Sequence, residues 1–194
     1  MLNEQVVNEL KESANVKLKL AEEGAETIIE IANILVDALS KGHTVLFCGN
    51  GGSAADAQHL AAELLGKFKM ERKALPAIAL TVNTSALTAI GNDYSYDNIF
   101  ERLVEAHGRE GDVILGISTS GNSKNVVKAI VKAREIGMKT VAFCGFTPGA
   151  IGEKADICLT VPSKDTPRIQ EAHITAGHII CGLVERKLFG DLKQ

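Results

Sequence analysis

Residues 44–67, T-V-L-F-C-G-N-G-G-S-A-A-D-A-Q-H-L-A-A-E-L-L-G-K, read as a strand, a glycine-rich turn and a helix. The strand is the apolar run Thr44–Phe47 and the helix fills Ala54–Leu65, rich in Ala, Leu and Gln. Between them Gly49, Gly51 and Gly52 let the backbone turn tightly and approach a ligand without an intervening Cβ. Ser53 suits the N-cap, so the first free N–H groups of the helix face whatever sits over the turn. His59 and Glu63, four residues apart, share one helical face. An imidazole and a carboxylate one helix away from an anion-friendly turn point to an active site.

The same alternation continues downstream. Further strands are expected at Ala77–Thr81, Val113–Ile117, Thr140–Phe143 and Ile157–Val161, and helices at Ser85–Ile90, Asp97–His107, Ser123–Ile136 and Thr166–Leu188. Short, wholly apolar strands separated by helices predict a parallel sheet covered on both faces, a three-layer αβα sandwich. Right-handed crossovers leave the flavodoxin-like strand order 2-1-3-4-5 as the simplest topology. Ligands then bind at the carboxyl ends of the first and third strands, where the order reverses. With no repeat, linker or low-complexity tract, residues 1–194 are expected to form a single α/β domain.

Ahead of the first strand, residues 1–41 read as helical. Leu10, Val16, Leu18 and Leu20 open an apolar stripe that Ile28, Ile31, Leu35, Val36 and Leu39 continue, and Gly24 is expected to break it into two helices. This N-terminal helical extension exceeds what a compact sheet needs, so its apolar face is expected either to pack in part on another subunit or to cover its own sheet.

Composition narrows the function classes. Apolar content of 45% and charged content of 23% are those of an ordinary globular chain. A formal charge of −3 without a Lys/Arg run gives nucleic acid no electrostatic purchase. No apolar stretch reaches the roughly 20 residues of a membrane span. The N-terminus is acidic and amphipathic, unlike a signal peptide. Cys48, Cys144, Cys158 and Cys181 are widely spaced and read as reduced and buried, which points to the cytoplasm.

The third strand ends in Ser118-Thr119-Ser120-Gly121-Asn122-Ser123, at the same crevice as the glycine turn. Clustered hydroxyls and backbone N–H groups entering a helix can hold a phosphate without Lys or Arg. Gly49, Gly51 and Ala54 fit a dinucleotide pattern, but the second strand ends Ala-Leu-Thr-Val-Asn and lacks the acidic residue that holds a ribose. No nucleotide cofactor is therefore expected. In the last helix Thr166 caps, Pro167 sits in the first turn, and Gln170, Ile174 and His178 follow at four-residue steps. His173 lies off that row and reads as structural.

Four ordered motifs carry a resemblance over essentially the whole chain. They are C-G-N-G-G-S with D-A-x-H-x-A-x-E at 48–63, G-N-D at 91–93, G-I-S-T-S-G-N-S at 116–123, and R-I-Q-E-x-H-x-x-x-x-H at 168–178. The chain resembles the SIS (sugar isomerase) domains of the phosphoheptose isomerase branch. The resemblance implies that Ser118, Thr119, Ser120 and Ser123 grip a sugar phosphate, while Asn50, Gly51, Gly52, Ser53, Asn92 and Asp93 line the sugar chain, with Glu63 and Gln170 also touching it. Glu63 and His178 would be the proton-transfer pair. Zinc, one per subunit, would be held by His59, Glu63, Gln170 and His178, although a metal-bound carboxylate is a weaker base, so the two roles compete at Glu63. A homotetramer with sites between subunits is also implied. Lys67 departs from the pattern: relatives carry Arg after the same Gly, and Lys lacks its fork geometry.

The expected activity is the aldose–ketose isomerisation of sedoheptulose 7-phosphate to D-glycero-D-manno-heptose 7-phosphate, which opens ADP/GDP-heptose biosynthesis. A rival is a non-catalytic SIS protein that binds the bacterial replication initiator; it lacks counterparts of Glu63 and His178, which this chain keeps. A second rival acts on a shorter sugar such as arabinose 5-phosphate; those enzymes carry CBS modules, for which no residues remain here.

Overall fold

A computed structural model describes residues 2–190; Met1 and residues 191–194, included in the single-domain expectation, lie outside the described residues. Helix α1 (Leu2–Ser40) precedes β1 (Val45–Gly49), α2 (Gly52–Leu65), β2 (Ala77–Ala79), α3 (Thr84–Asp93), a 3-10 turn (Tyr96–Asn98) and α4 (Ile99–His107). Then come β3 (Val113–Ser118), α5 (Lys124–Ile136), β4 (Lys139–Cys144), α6 (Gly149–Lys154), β5 (Ile157–Thr160) and α7 (Thr166–Phe189).

All five strands are parallel, in the order β2-β1-β3-β4-β5. The period of two along each strand sorts the core. Val45, Phe47, Val113, Leu115, Val141 and Phe143 point to one face, packed under α1, α2 and α7. Leu46, Cys48, Ile114, Ala142 and Cys144 point to the other, under α4, α5 and α6. The three-layer sandwich follows from strands that are apolar on both sides.

Several local expectations are corrected. Gly24 does not break α1, which runs unbroken for 39 residues. It sits on the buried stripe Val16, Leu20, Gly24, Ile28, Ile31, Leu35, Leu39, where a Cβ would come within 2.7 Å of Leu20 Cδ1 and 3.3 Å of Leu159 Cδ1. The glycine lets the helix settle on β5, and that packing outweighs its helix cost of about 1 kcal/mol. Leu10 and Leu18 leave the stripe and are 67% and 64% exposed. The helix α2 is capped by Gly51 (φ 55°), and Ser53 is its buried second residue. Asp165 is the cap position of α7, displacing Thr166 into the helix. β2 is only three residues long, because at Leu80 the chain turns toward α3. The short helix α6 was not expected; G-A-I-G-E-K carries too little apolar periodicity to announce itself.

Candidate active site

The crevice opens at the carboxyl ends of β1 and β3. Gly51 takes a backbone conformation (φ 55°) that a side chain would strain, and a Cβ on Gly52 would lie 2.5 Å from Gln170 Nε2. The glycines thus let α7 lay the Gln170 amide directly on the turn. α2 and α7 pack side by side from there, with Gly177 against Leu60, and Gly182 of α7 faces Phe68 in the segment after α2.

Two helical turns along, the same packing joins three candidate residues within one chain. His59 Nε2 lies 3.0 Å from Glu63 Oε1 and 3.2 Å from His178 Nε2. The two imidazoles meet edge to face, with centroids 4.8 Å apart, and the Phe68 ring stacks on His178 at 5.5 Å. Gln170, eight residues before His178, starts about 12 Å away along the helix axis, and its amide stays at the turn. His59 is 48% exposed and Glu63 20% exposed at the side chain, so the cluster faces open space.

The donor set suits a metal ion. Ligand atoms of His59, Glu63 and His178 all lie within 4.8 Å of one another. One hydrogen on His59 Nε2 cannot satisfy both neighbours, and two N–H groups would meet head on, whereas a cation satisfies all three lone pairs. Two imidazoles and a carboxylate are a set that zinc accepts.

Across the crevice from the glycine turn, the hydroxyl loop is preassembled. Ser118 Oγ lies 2.9 Å from Ser123 Oγ and 3.3 Å from Ser120 Oγ, and Asn122 N–H donates to Ser120 Oγ at 3.2 Å. Ser123 precedes α5, and its carbonyl accepts from Val126 and Val127 N–H, while its side chain turns into the loop. An open hollow of about 270 Å³ beside Thr119 and Ser120 is also lined by Phe146, Thr147, Lys164 and Thr166. Asn92 and Asp93 end α3, and the Asn92 amide donates to Asp93 at 2.9 Å. Lys67 ion-pairs with Glu71 on the surface.

Three features escaped the sequence reading. Asp56 shares the helical face of Gly52, His59 and Glu63; burial pushes its carboxyl up to about 6 against the opposing pull of His59, and its Oδ2 is buried without a partner. Its spacing from His59 was the available signal. Arg72 and Glu185 form a buried ion pair at 3.0 Å, with side chains 0% and 1% exposed. Glu185 also accepts from the N–H groups of Phe68, Lys69 and Met70, and Arg72 donates to the carbonyls of Glu63, Leu64 and Gly66. This pair pins the segment that presents Phe68 to His178, yet K-F-K-M-E-R-K reads as a solvated charge run. The third feature is the pairing of Asn50 with Asn125.

His173, read as structural, is fully buried. Its Nε2–H donates to the Cys144 carbonyl at 2.9 Å, and burial lowers its pKa to about 4 although that bond opposes the shift. The four cysteines are free thiols, with Cys48, Cys144 and Cys181 buried as expected but Cys158 only half-buried, and among the described residues no helix is long and apolar enough to cross a membrane.

The SIS domain family model matches residues 10–145. A phosphoheptose isomerase of Clostridium acetobutylicum is 58% identical over 185 residues, covering 94% of each chain. The solved phosphoheptose isomerase of Neisseria gonorrhoeae superposes with a TM-score of 0.91 at 44% identity, over 95% of this chain and 99% of that one. The one from Francisella tularensis gives 0.92 at 37% identity, over 96% and 99%.

Proposed function

The chain belongs to the SIS domain family, in its phosphoheptose isomerase branch, and on that premise we propose how it converts sedoheptulose 7-phosphate to D-glycero-D-manno-heptose 7-phosphate. It is an aldose–ketose isomerase. The observations that carry the mechanism are the cluster of His59, Glu63 and His178 between α2 and α7 and the preassembled hydroxyl loop after β3.

The phosphate docks on Ser118, Thr119, Ser120 and Ser123, and the open sugar chain runs past Asn50, Gly51, Gly52, Ser53, Asn92, Asp93 and Gln170. Holding the remote phosphate converts a random encounter into a positioned one. Glu63 takes a proton from C1 while His178 protonates the C2 carbonyl oxygen, giving a 1,2-enediol. Glu63 then returns its proton to C2, and the O1 proton goes back to His178, leaving an aldehyde at C1. The proton count closes on itself, so no redox cofactor takes part.

His59, Glu63 and His178 are the residues that would hold zinc, while Gln170, the fourth expected ligand, keeps its amide at the glycine turn; zinc would supply Lewis-acid polarisation of the two reacting oxygens. The exposed apolar side chains Leu2, Val6, Leu10 and Leu18 of α1 pack on other subunits of a homotetramer with crevices between subunits. Free thiols suit a reducing compartment, the cytoplasm. There the product opens heptose biosynthesis toward lipopolysaccharide or another glycan, with residues 1–194 acting as a single domain.

The test is aldose formation from sedoheptulose 7-phosphate by the purified protein, before and after chelation. Turnover supports the reading, loss on chelation with recovery on adding zinc supports the metal, and folded protein without turnover in either state overturns it.

A further inference from the structure

Asn50 stands at the apex of the glycine turn, and each hydrogen-bonding atom of its amide is engaged. Its Nδ2 donates to Asn125 Oδ1 at 2.9 Å, and its Oδ1 accepts from Asn125 Nδ2 at 2.9 Å. The Tyr96 hydroxyl donates to the same Oδ1 at 2.9 Å. A pair of amides could in principle be read in either sense, because O and N are distinguished only by their partners. Here the backbone decides. Val126 N–H, which can only donate, meets Asn125 Oδ1 at 3.0 Å, so that oxygen faces Val126 and Asn50. Asn125 Nδ2 must then point at Asn50, and only the oxygen of Asn50 can receive it. A turned Asn50 amide would set donor against donor at Asn125.

The count of remaining valences follows. Both lone pairs of Asn50 Oδ1 are taken, one by Asn125 and one by Tyr96. One Nδ2 hydrogen is taken by Asn125. A single N–H is left. Asn125 is 2% exposed and lies two residues after Ser123 of the hydroxyl loop, so the paired amides also bridge the two strand-end loops across the crevice. Tyr96 follows Asn92 and Asp93, and its hydroxyl draws that segment to the same point.

We propose that Asn125 and Tyr96 are positioning residues that lock the Asn50 amide, so that it offers the sugar one N–H donor and no acceptor. Asn50 therefore reads an oxygen with a free lone pair on the open sugar chain, and not a hydroxyl that must donate. The proposal rests on the isomerase reading for the identity of the sugar, but not for the orientation of the amide.

Two variants and one probe test it. Asn125→Leu keeps the approximate shape and orphans no backbone donor, because Val126 N–H retains the Ser123 carbonyl at 3.0 Å. Tyr96→Phe removes one hydroxyl from a residue that is 62% exposed, which leaves the fold untouched. With sedoheptulose 7-phosphate, kcat/KM is expected to fall about tenfold in Asn125→Leu and about threefold in Tyr96→Phe, the size of one lost hydrogen bond. The inhibition constant of inorganic phosphate, which needs only the hydroxyl loop, stays at the wild-type value in both. Wild-type kcat/KM in both variants overturns the proposal, and so does a parallel loss of phosphate affinity, which would make the residues supports of the loop. A substrate-free measurement separates this from failure of the isomerase reading. In ¹⁵N-labelled protein the Asn50 side-chain amide, assigned through Asn50→Asp, should exchange slowly in wild type and faster in both variants. Fast exchange in wild type sinks the lock even if the enzyme is active, and slow exchange supports it even if sedoheptulose 7-phosphate is not the substrate.

Discussion

Nε2 of His59 lies 3.2 Å from Nε2 of His178, and both rings belong to the same chain. They reach each other from α2 and α7, residues 119 apart in sequence, because Gly177 allows α7 to close on Leu60. With Glu63 3.0 Å from His59, the proposed proton-transfer pair is complete before any subunit joins it. Any residues that neighbouring subunits add to the crevice would surround that pair without supplying either member.

Glu63→Gln should therefore lower kcat by about 10²–10⁴, the range for a lost acid–base group, with KM little changed. Steady-state kinetics decide it, and turnover near wild type would remove Glu63 from the chemistry. Oligomers that mix Glu63→Gln and His178→Ala subunits should stay as inactive as their parents. Measurable recovery in verified mixed particles would place the two residues in different subunits' shares of the site.

Ser120→Ala should raise KM several-fold and leave kcat nearly unchanged. The motivation is the Ser118–Ser120–Ser123 hydroxyl cluster; phosphate is held alike in the ground and transition states, so its loss is uniform binding. An unchanged KM would move the phosphate elsewhere.

His173 should make the protein acid-sensitive in a defined window. Its pKa falls from 6.5 to about 4 on folding, first through burial. The unfolded chain thus takes up the proton first, and stability is lost as pH falls from about 6.5 to about 4, by about 3 kcal/mol. Denaturant melts across that range should show the slope, and His173→Gln should flatten it. An equal slope in the variant would assign the sensitivity to other groups.

Arg72→Leu should cost about 3–5 kcal/mol, since it leaves the Glu185 carboxylate buried without its cation. Burial by itself would raise the Glu185 pKa, but the N–H groups of Phe68, Lys69 and Met70 and the Arg72 guanidinium hold it below the ordinary value. Its contribution is complete above the unfolded carboxyl pKa, about 4.3, and is lost as pH falls through the lower folded value. The stability gap between wild type and Glu185→Gln should accordingly be full at neutral pH and narrow on acidification below that point. A gap that does not depend on pH would mean the pair is not ionic.

Local chemistry determined much of this protein from the sequence alone. Five doubly apolar strands alternating with helices allow few topologies, so the strand order 2-1-3-4-5 was legible. Because ligands gather where that order reverses, the glycine turn and the hydroxyl loop could be assigned to one crevice. Helical spacing put His59 with Glu63, and Gln170 on the row of His178. What spacing along one helix cannot express is which helix lies beside it. The contact of His59 with His178, the Gln170 amide on Gly52, the Phe68 stack and the Arg72–Glu185 pair all depend on how α2, α7 and the segment after α2 pack. The same holds for Gly24, a helix breaker by propensity, which tertiary packing against Leu159 keeps inside an unbroken helix. It holds too for Asn125, an unremarkable polar residue in sequence, whose meaning comes from the amide across the crevice. Propensity and periodicity are set by neighbours along the chain; hydrogen-bond partners and buried charges are set by neighbours in space.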